Sequence, residues 1–364
     1  MNIITTGVLS AFLVLAISIG LTAGFTQAQD TDFYLNWVGT FFMCGTPFQI
    51  MLAIVWGNQT PAFMGKLAQP MKGLVLTGMF VLAGAIIMPI LLYTVGQGVL
   101  SPMLIHYTIQ SVGVSLLVMI VFGCWPINKL TNSTLLLGLG TLVYCYLVDF
   151  LLFKLFYNYS FFSEAPFYAQ AFDPGGLFNG ITALTFAVTA AAMVMVLAMF
   201  EMWPVTKLVK SGKQPLVGIV GTAWVLLISA ILYYLFVGLI GMEPMDFMVQ
   251  GPVCIIFGAF LVDNMMQFQL FAHMQQPLRG LAKFAICLIG ALVMYRLYEW
   301  ALPLFVGKDL PAGPENGYLK EAWIATAMLG VTFPIINVVA GAFEFWPIKR
   351  VSKELPIAGL QEGV

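Results

Sequence analysis

Charge is what this sequence has least of: Asp, Glu, Lys and Arg make up 9% of its 364 residues, against 60% hydrophobic. Soluble domains carry roughly 25% charged residues. A chain this poor in charge could not clothe a water-facing surface, so it must be solvated by lipid. With a net charge of −1 it has no basic bias, and nothing points to nucleic acid. Histidine is nearly absent. The two present, His106 and His273, are expected near opposite membrane faces, about 30 Å apart, too far to ligate one haem. No HExxH, GxSxG or phosphate-loop pattern occurs. The five cysteines, Cys44, Cys124, Cys145, Cys254 and Cys287, form no CxxC pair, and their odd number excludes a complete disulfide framework. The 21 methionines do not cluster with His or Cys, which favours packing over copper. No cofactor and no metal are expected.

Long apolar runs are what the sequence has in abundance. Stretches near Ile4–Ala28, Leu35–Gly57, Met71–Val99, Met103–Cys124, Thr131–Tyr157, Leu177–Met202, Leu216–Gly241, Phe247–Gln269, Leu278–Val306 and Ala322–Phe345 are each long enough to cross a bilayer as a helix. The first ends in Thr26-Gln27-Ala28, a cleavage-like close, but it lacks a basic leader and reads as a retained span. The expected fold is an all-α, polytopic membrane bundle of about ten helices, one integral-membrane domain over 1–364.

Eleven of the fifteen Lys and Arg residues fall on one side: Lys66, Lys72, Lys129, Lys207, Lys210, Lys213, Arg279, Lys283, Lys349, Arg350 and Lys353. The other side holds Lys154, Lys308 and Lys320 among Asp30, Asp32, Glu164, Asp173, Glu243, Asp246, Asp309, Glu315 and Glu321. The basic side is expected to be cytoplasmic, which puts both termini and a short tail (351–364) there, in a cytoplasmic (inner) membrane.

Two elements recur. Phe122-Gly123-Cys124-Trp125-Pro126, Phe200-Glu201-Met202-Trp203-Pro204 and Phe343-Glu344-Phe345-Trp346-Pro347 close three spans. Gln69-Pro70, Gln214-Pro215 and Gln276-Pro277, each with Gly three residues after the Pro, open three others. Thirteen positions separate Trp56 from Gln69 and Asp263 from Gln276, a spacing that places Trp56 and Asp263 at the Trp position. The simplest account is a helical hairpin repeated about five times in one orientation, near 1–70, 71–130, 131–213, 214–276 and 277–350. A parallel repeat argues against the inverted-repeat transporter folds.

The Trp-Pro pairs read as interface anchors: Trp125, Trp203 and Trp346 at headgroup depth, with Pro126, Pro204 and Pro347 ending the helices. Glu201 and Glu344 sit at helix C-termini, where the dipole disfavours them, and Lys207 and Lys349 are the expected partners. Asp263-Asn264 stands out as an acid where its counterparts carry Trp, a candidate for a polar pathway or a water-solvated boundary group. Arg296 and Glu299, three residues apart, can pair about ~24 Å along the helix from Gly280, with Asp149 at similar depth as a second partner. Helix breaks at Gly45-Thr46-Pro47 with Gln49, Gly251-Pro252, Thr332-Phe333-Pro334 with Asn337, and Met88-Pro89 free backbone carbonyls that can line a cavity. Gly138/Gly140, Gly218/Gly221 and Ala340-Gly341-Ala342 read as close helix contacts. The longest loops, Asn158–Asn179 (broken by Pro166) and Gly307–Lys320, hold no catalytic motif.

These features support a permease or channel for a small solute, with Asp263, Asn264, Arg296, Glu299, Asp149, Thr46, Gln49 and Asn337 as candidate path residues. The alternative is a non-catalytic membrane subunit that docks partner proteins or lipids. An enzyme on a lipid-phase substrate is the weakest reading, for want of a motif. Membrane lipids are the expected partners, with a homo-oligomer or a membrane-complex partner also open.

Overall fold

The protein is described by a computed structural model that covers residues 2–165, 168–348 and 351. Pro166, Lys349, Arg350, Lys353 and the tail from 352 lie outside the described residues. Among the described residues, ten helices are long and apolar enough to cross a membrane. They are Ile3–Ala28, Thr31–Ile54, Met71–Thr94, Pro102–Val121, Thr134–Phe156, Gly180–Met199, Leu216–Leu239, Pro244–Asp263, Leu278–Val306 and Leu319–Ala342, called spans 1 to 10. Side-chain caps start several of them: Asn2 accepts from Thr5 N–H, Asp30 from Phe33 N–H, and Asn179 from Ile181 N–H. Between spans 5 and 6, two-residue strands pair in parallel, Tyr157 with Phe178 and Asn158 with Asn179.

The spans sort into two layers. Even-numbered spans bury 56–72% of their apolar window and odd-numbered ones 22–33%. Span 2 packs on span 4, 4 on 6, 6 on 8, 8 on 10, and 10 back on 2. The result is a closed ring of five central helices, in which each central span packs on two others. The odd spans form a peripheral sheath. Spans 3, 5, 7 and 9 each pack on the even span just before them in the chain, and span 1 packs on span 10. The closest pairs are therefore joined through the basic-side connectors. The expected hairpins, in which an odd span returns through the next even one, do not coincide with this packing.

Span 1 shows how a peripheral helix is held. Its buried face is Thr6, Ser10, Val14, Ser18, Thr22 and Thr26, four residues apart throughout, with Gly7 beside Thr6. Small side chains let helices approach closely where lipid supplies no hydrophobic drive between them.

All five central spans end alike on the basic side, in two consecutive left-handed residues. These are Gly57-Asn58, Gly123-Cys124, Glu201-Met202, Gln267-Phe268 and Glu344-Phe345. In three of them the second residue's N–H reaches back six positions: Asn58 to Leu52 O, Cys124 to Val118 O and Phe345 to Val339 O. This closure satisfies carbonyls that the helix end leaves free.

The shared backbone also corrects the register drawn from spacing. Trp56 immediately precedes its left-handed pair, as Phe122, Phe200, Met266 and Phe343 do theirs. Trp56 therefore stands at the Phe position, and Asp263 lies three residues before that position rather than at the Trp.

Each Gln-Pro element is a clasp between two helices. Gln69 Nε2 donates to Ala342 O (2.9 Å), Gln214 Nε2 to Val121 O (2.9 Å) and Gln276 Nε2 to Met199 O (3.4 Å). Their Oε1 atoms accept the N–H of Gly73 (3.2 Å), Gly218 (2.9 Å) and Gly280 (3.1 Å). One amide thus serves an orphan carbonyl at one helix end and an orphan N–H at the start of another. The glycines make room for the facing rings, since a Cβ would lie 2.5 Å from Phe343, 2.2 Å from Phe122 and 2.5 Å from Phe200 respectively. Span 5 docks on Trp56 instead, whose Nε1 donates to Thr134 O at 2.9 Å.

Candidate functional site

The charges at the basic end are paired across helices. Asp263, closing span 8, meets Lys283 Nζ of span 9 at 3.0 Å, with side chains only 7% and 5% exposed. Arg279, one turn earlier on span 9, pairs with Glu201 and also donates to Phe268 O at 3.0 Å and Leu270 O at 3.3 Å. Lys72 of span 3 meets Glu344 at 2.6 Å. The partners of Glu201 and Glu344 are therefore Arg279 and Lys72, not Lys207, while Lys349 lies outside the described residues. The clasp explains the change, since it lays the first turn of a peripheral span over the C-terminus of a central one. Asp263 is thus an enclosed, ion-paired carboxylate. Asn264 turns back on its own helix, with Nδ2 donating to Phe260 O at 2.9 Å.

At the other end Arg296 and Glu299 pair at 2.7 Å. Glu299 also meets Lys320 at 2.9 Å, and Asp149 does not pair with Arg296. The Arg296 side chain is 75% exposed, so we expect Arg296→Gln to leave thermal unfolding in detergent unchanged. Nearby, Tyr318 donates to Glu243 Oε1 at 2.7 Å. Burial and the Glu243 charge push its phenol up.

Asp149 stands apart on span 5. It is fully buried, and neither carboxylate oxygen accepts a hydrogen bond. Beside it stands Tyr107 of span 4, whose hydroxyl donates to Tyr146 O at 3.1 Å. The Tyr146 hydroxyl in turn donates to Cys44 O of span 2 at 2.9 Å, just before the break at Pro47. Tyr157, 1% exposed and with its hydroxyl unpartnered, stands near Asp149, and its ring centroid is 6.5 Å from that of His106. His106 Nδ1 and the Tyr159 hydroxyl are hydrogen-bonded at 3.0 Å, and Asp173 accepts from Tyr159 N–H and the Tyr168 hydroxyl.

Gln49 and Asn337, picked from two separate helix breaks, meet. Asn337 Nδ2 donates to Gln49 Oε1 at 3.2 Å, and Gln49 Nε2 donates to Pro334 O at 2.9 Å. They line a small cavity between spans 2, 3 and 10 with Asn58 and Thr77, of ≈ 10 Å³, close to room for one water. Thr46 is buried but bonds its own helix, at Phe42 O, 2.8 Å. The predicted anchors sit on the basic rim. Trp125 and Trp203 are half-buried and Trp346 is 46% exposed. Each stacks near the Phe three residues before it, at 6.4, 6.2 and 6.3 Å.

No family model, curated protein or solved structure matches the chain. Function is therefore argued from its geometry alone.

Sequence reasoning missed Lys283, read only as one of the basic-side charges. Its signal was its position four residues beyond Arg279, one turn deeper on the same helix face. Tyr107, Tyr146 and Tyr157 were also missed, because a tyrosine in an apolar run looks like packing until its hydroxyl finds company. A last feature is the helix type. Of seven π-helical segments among the described residues, six lie in central spans: 34–38, 117–121, 249–253, 259–263, 326–332 and 338–342. Such bulges loosen the backbone ladder and concentrate at functional positions.

Proposed function

We propose that the protein is a permease or channel for a small solute, with its path along the axis enclosed by the five central spans. The observation that carries this reading is the closed ring itself. Five helices, each packed on two others to close a ring and sheathed from lipid by five more, form a centre shielded from the bilayer that a membrane anchor would not need. The π-helical segments and the breaks at Pro47, Pro252 and Pro334 fall in the ring, where movement would open a path. The polar pair Gln49 and Asn337 joins ring spans 2 and 10 where they meet peripheral span 3, and its opening would part the ring. We further propose that the chain is five copies of one unit, a central span with its peripheral partner, with span 1 completing the circle beside span 10. The positive-inside rule puts the basic rim and both termini in the cytoplasm, with the protein in a cytoplasmic membrane.

Reconstituted vesicles test this reading. Stopped-flow swelling with a size-graded panel of neutral and charged solutes should show one class crossing faster than in protein-free vesicles. The double variant Gln49→Leu, Asn337→Leu, which replaces the polar pair by apolar groups of similar size, should return that flux to the protein-free rate. Protein-free rates for every solute, together with a stoichiometric protein partner on purification in mild detergent, would favour the docking-subunit reading instead.

A further inference from the structure

Asp149 is the one described carboxylate that is fully buried with both oxygens unpartnered. An ionised carboxylate in such surroundings is expensive unless it is paired, and intramembrane acids of this kind mark relays. The titratable groups around it are Tyr107 from span 4, Cys145 and Tyr146 from its own helix, and Tyr157 just beyond it, with Cys44 of span 2 beside Tyr107 and Tyr146. None is a cation. Lys154, the nearest base in sequence on span 5, is exposed and lies 6.0 Å over the Phe150 ring. Every group facing Asp149 can pass or accept a proton, and none can neutralise a standing negative charge. Tyr157, its hydroxyl free, continues the line toward His106, whose ring centroid is 6.5 Å away. His106 is half-buried at the start of span 4, on the side that carries the acidic loops.

We propose that Asp149 is a proton-binding site, loaded from the acidic side through His106 and Tyr157. One proton from water goes onto a carboxylate oxygen and later returns to water, so no co-reactant is required. Its role as coupling ion rests on the permease reading above; the binding itself does not.

The test is infrared spectroscopy of the purified protein in lipid nanodiscs across a pH series. Wild type should show the carbonyl band of a protonated carboxylic acid that fades as the bulk pH rises. Asp149→Asn should lack it, and Tyr107→Phe should shift its frequency. If Asp149→Asn does not fold, isotope-labelled aspartate in wild type and in Tyr107→Phe identifies the same band. After a pH jump, His106→Gln should slow the change in that band. A wild-type spectrum without an aspartic acid band at any pH, or a band that stays constant at all of them, would overturn the binding site. An unchanged rate in His106→Gln would overturn the route. Vesicles that pass no solute would sink the permease reading and leave this band as it is.

Discussion

Replacing Lys283 by methionine is expected to cost about 3–5 kcal/mol of stability, because it strands Asp263 as an unpaired buried charge. The pair is 3.0 Å apart, and both side chains are more than nine-tenths enclosed. Loss of the ammonium leaves the carboxylate with no compensating cation in direct contact. The measurement is thermal unfolding of detergent-purified protein, followed by tryptophan fluorescence. The double variant Lys283→Met, Asp263→Leu should recover most of the loss, since an apolar pair of similar volume is often no worse than a buried ion pair. Asp263→Asn is predicted to destabilise as well, by stranding Lys283, which makes it a poor probe of transport. A Lys283→Met protein as stable as wild type would mean that water reaches Asp263 after all.

That result bears directly on what the sequence could show. The ten spans were legible because the bilayer demands about twenty apolar residues for each crossing, and here the composition leaves little else. Which spans form the centre was not legible. Spans 1, 6 and 7 share a hydropathy of 2.2, yet bury 22%, 61% and 22% of their windows. Lipid tails are as apolar as leucine, so facing lipid and facing protein look alike to a hydropathy scale. The register error has a related origin. The thirteen-residue spacing treated Trp56 as a copy of Trp125, although what recurs is a left-handed backbone pair that five different residue combinations adopt. Gln49 and Asn337 could be picked singly, as polar residues beside helix-breaking prolines. Their meeting required the closure of span 10 onto span 2, a contact across 288 residues. The glutamates went to distant partners for the same reason: the clasp brings Lys72 and Arg279 over helix ends that sequence neighbours flank only from the connector.

Gly258→Ala is expected to be the most damaging single-methyl insertion in the ring, at about 1–3 kcal/mol. A Cβ there would lie 2.2 Å from the Cys287 carbonyl oxygen and 2.8 Å from its carbon. These are backbone atoms of span 9, so no rotamer change can relieve the clash, and the two helices must separate. At Gly73, by contrast, the obstruction is the Phe343 side chain, which has some freedom to turn. Gly78, with nothing within 4 Å of its Cβ position, is the control, and Gly78→Ala should be neutral or stabilising by about 0.4–1 kcal/mol. The consequence of separation is specific. Along the antiparallel pair, Gly258 faces Cys287 just as Asp263 faces Lys283 one turn nearer the basic rim. Pushing spans 8 and 9 apart at the glycine therefore stretches the ion pair, and the two perturbations should couple. In the Asp263→Leu, Lys283→Met background, where no charge depends on the spacing, Gly258→Ala should cost measurably less than in wild type. Equal costs in the two backgrounds would show that the glycine contact and the ion pair are mechanically independent.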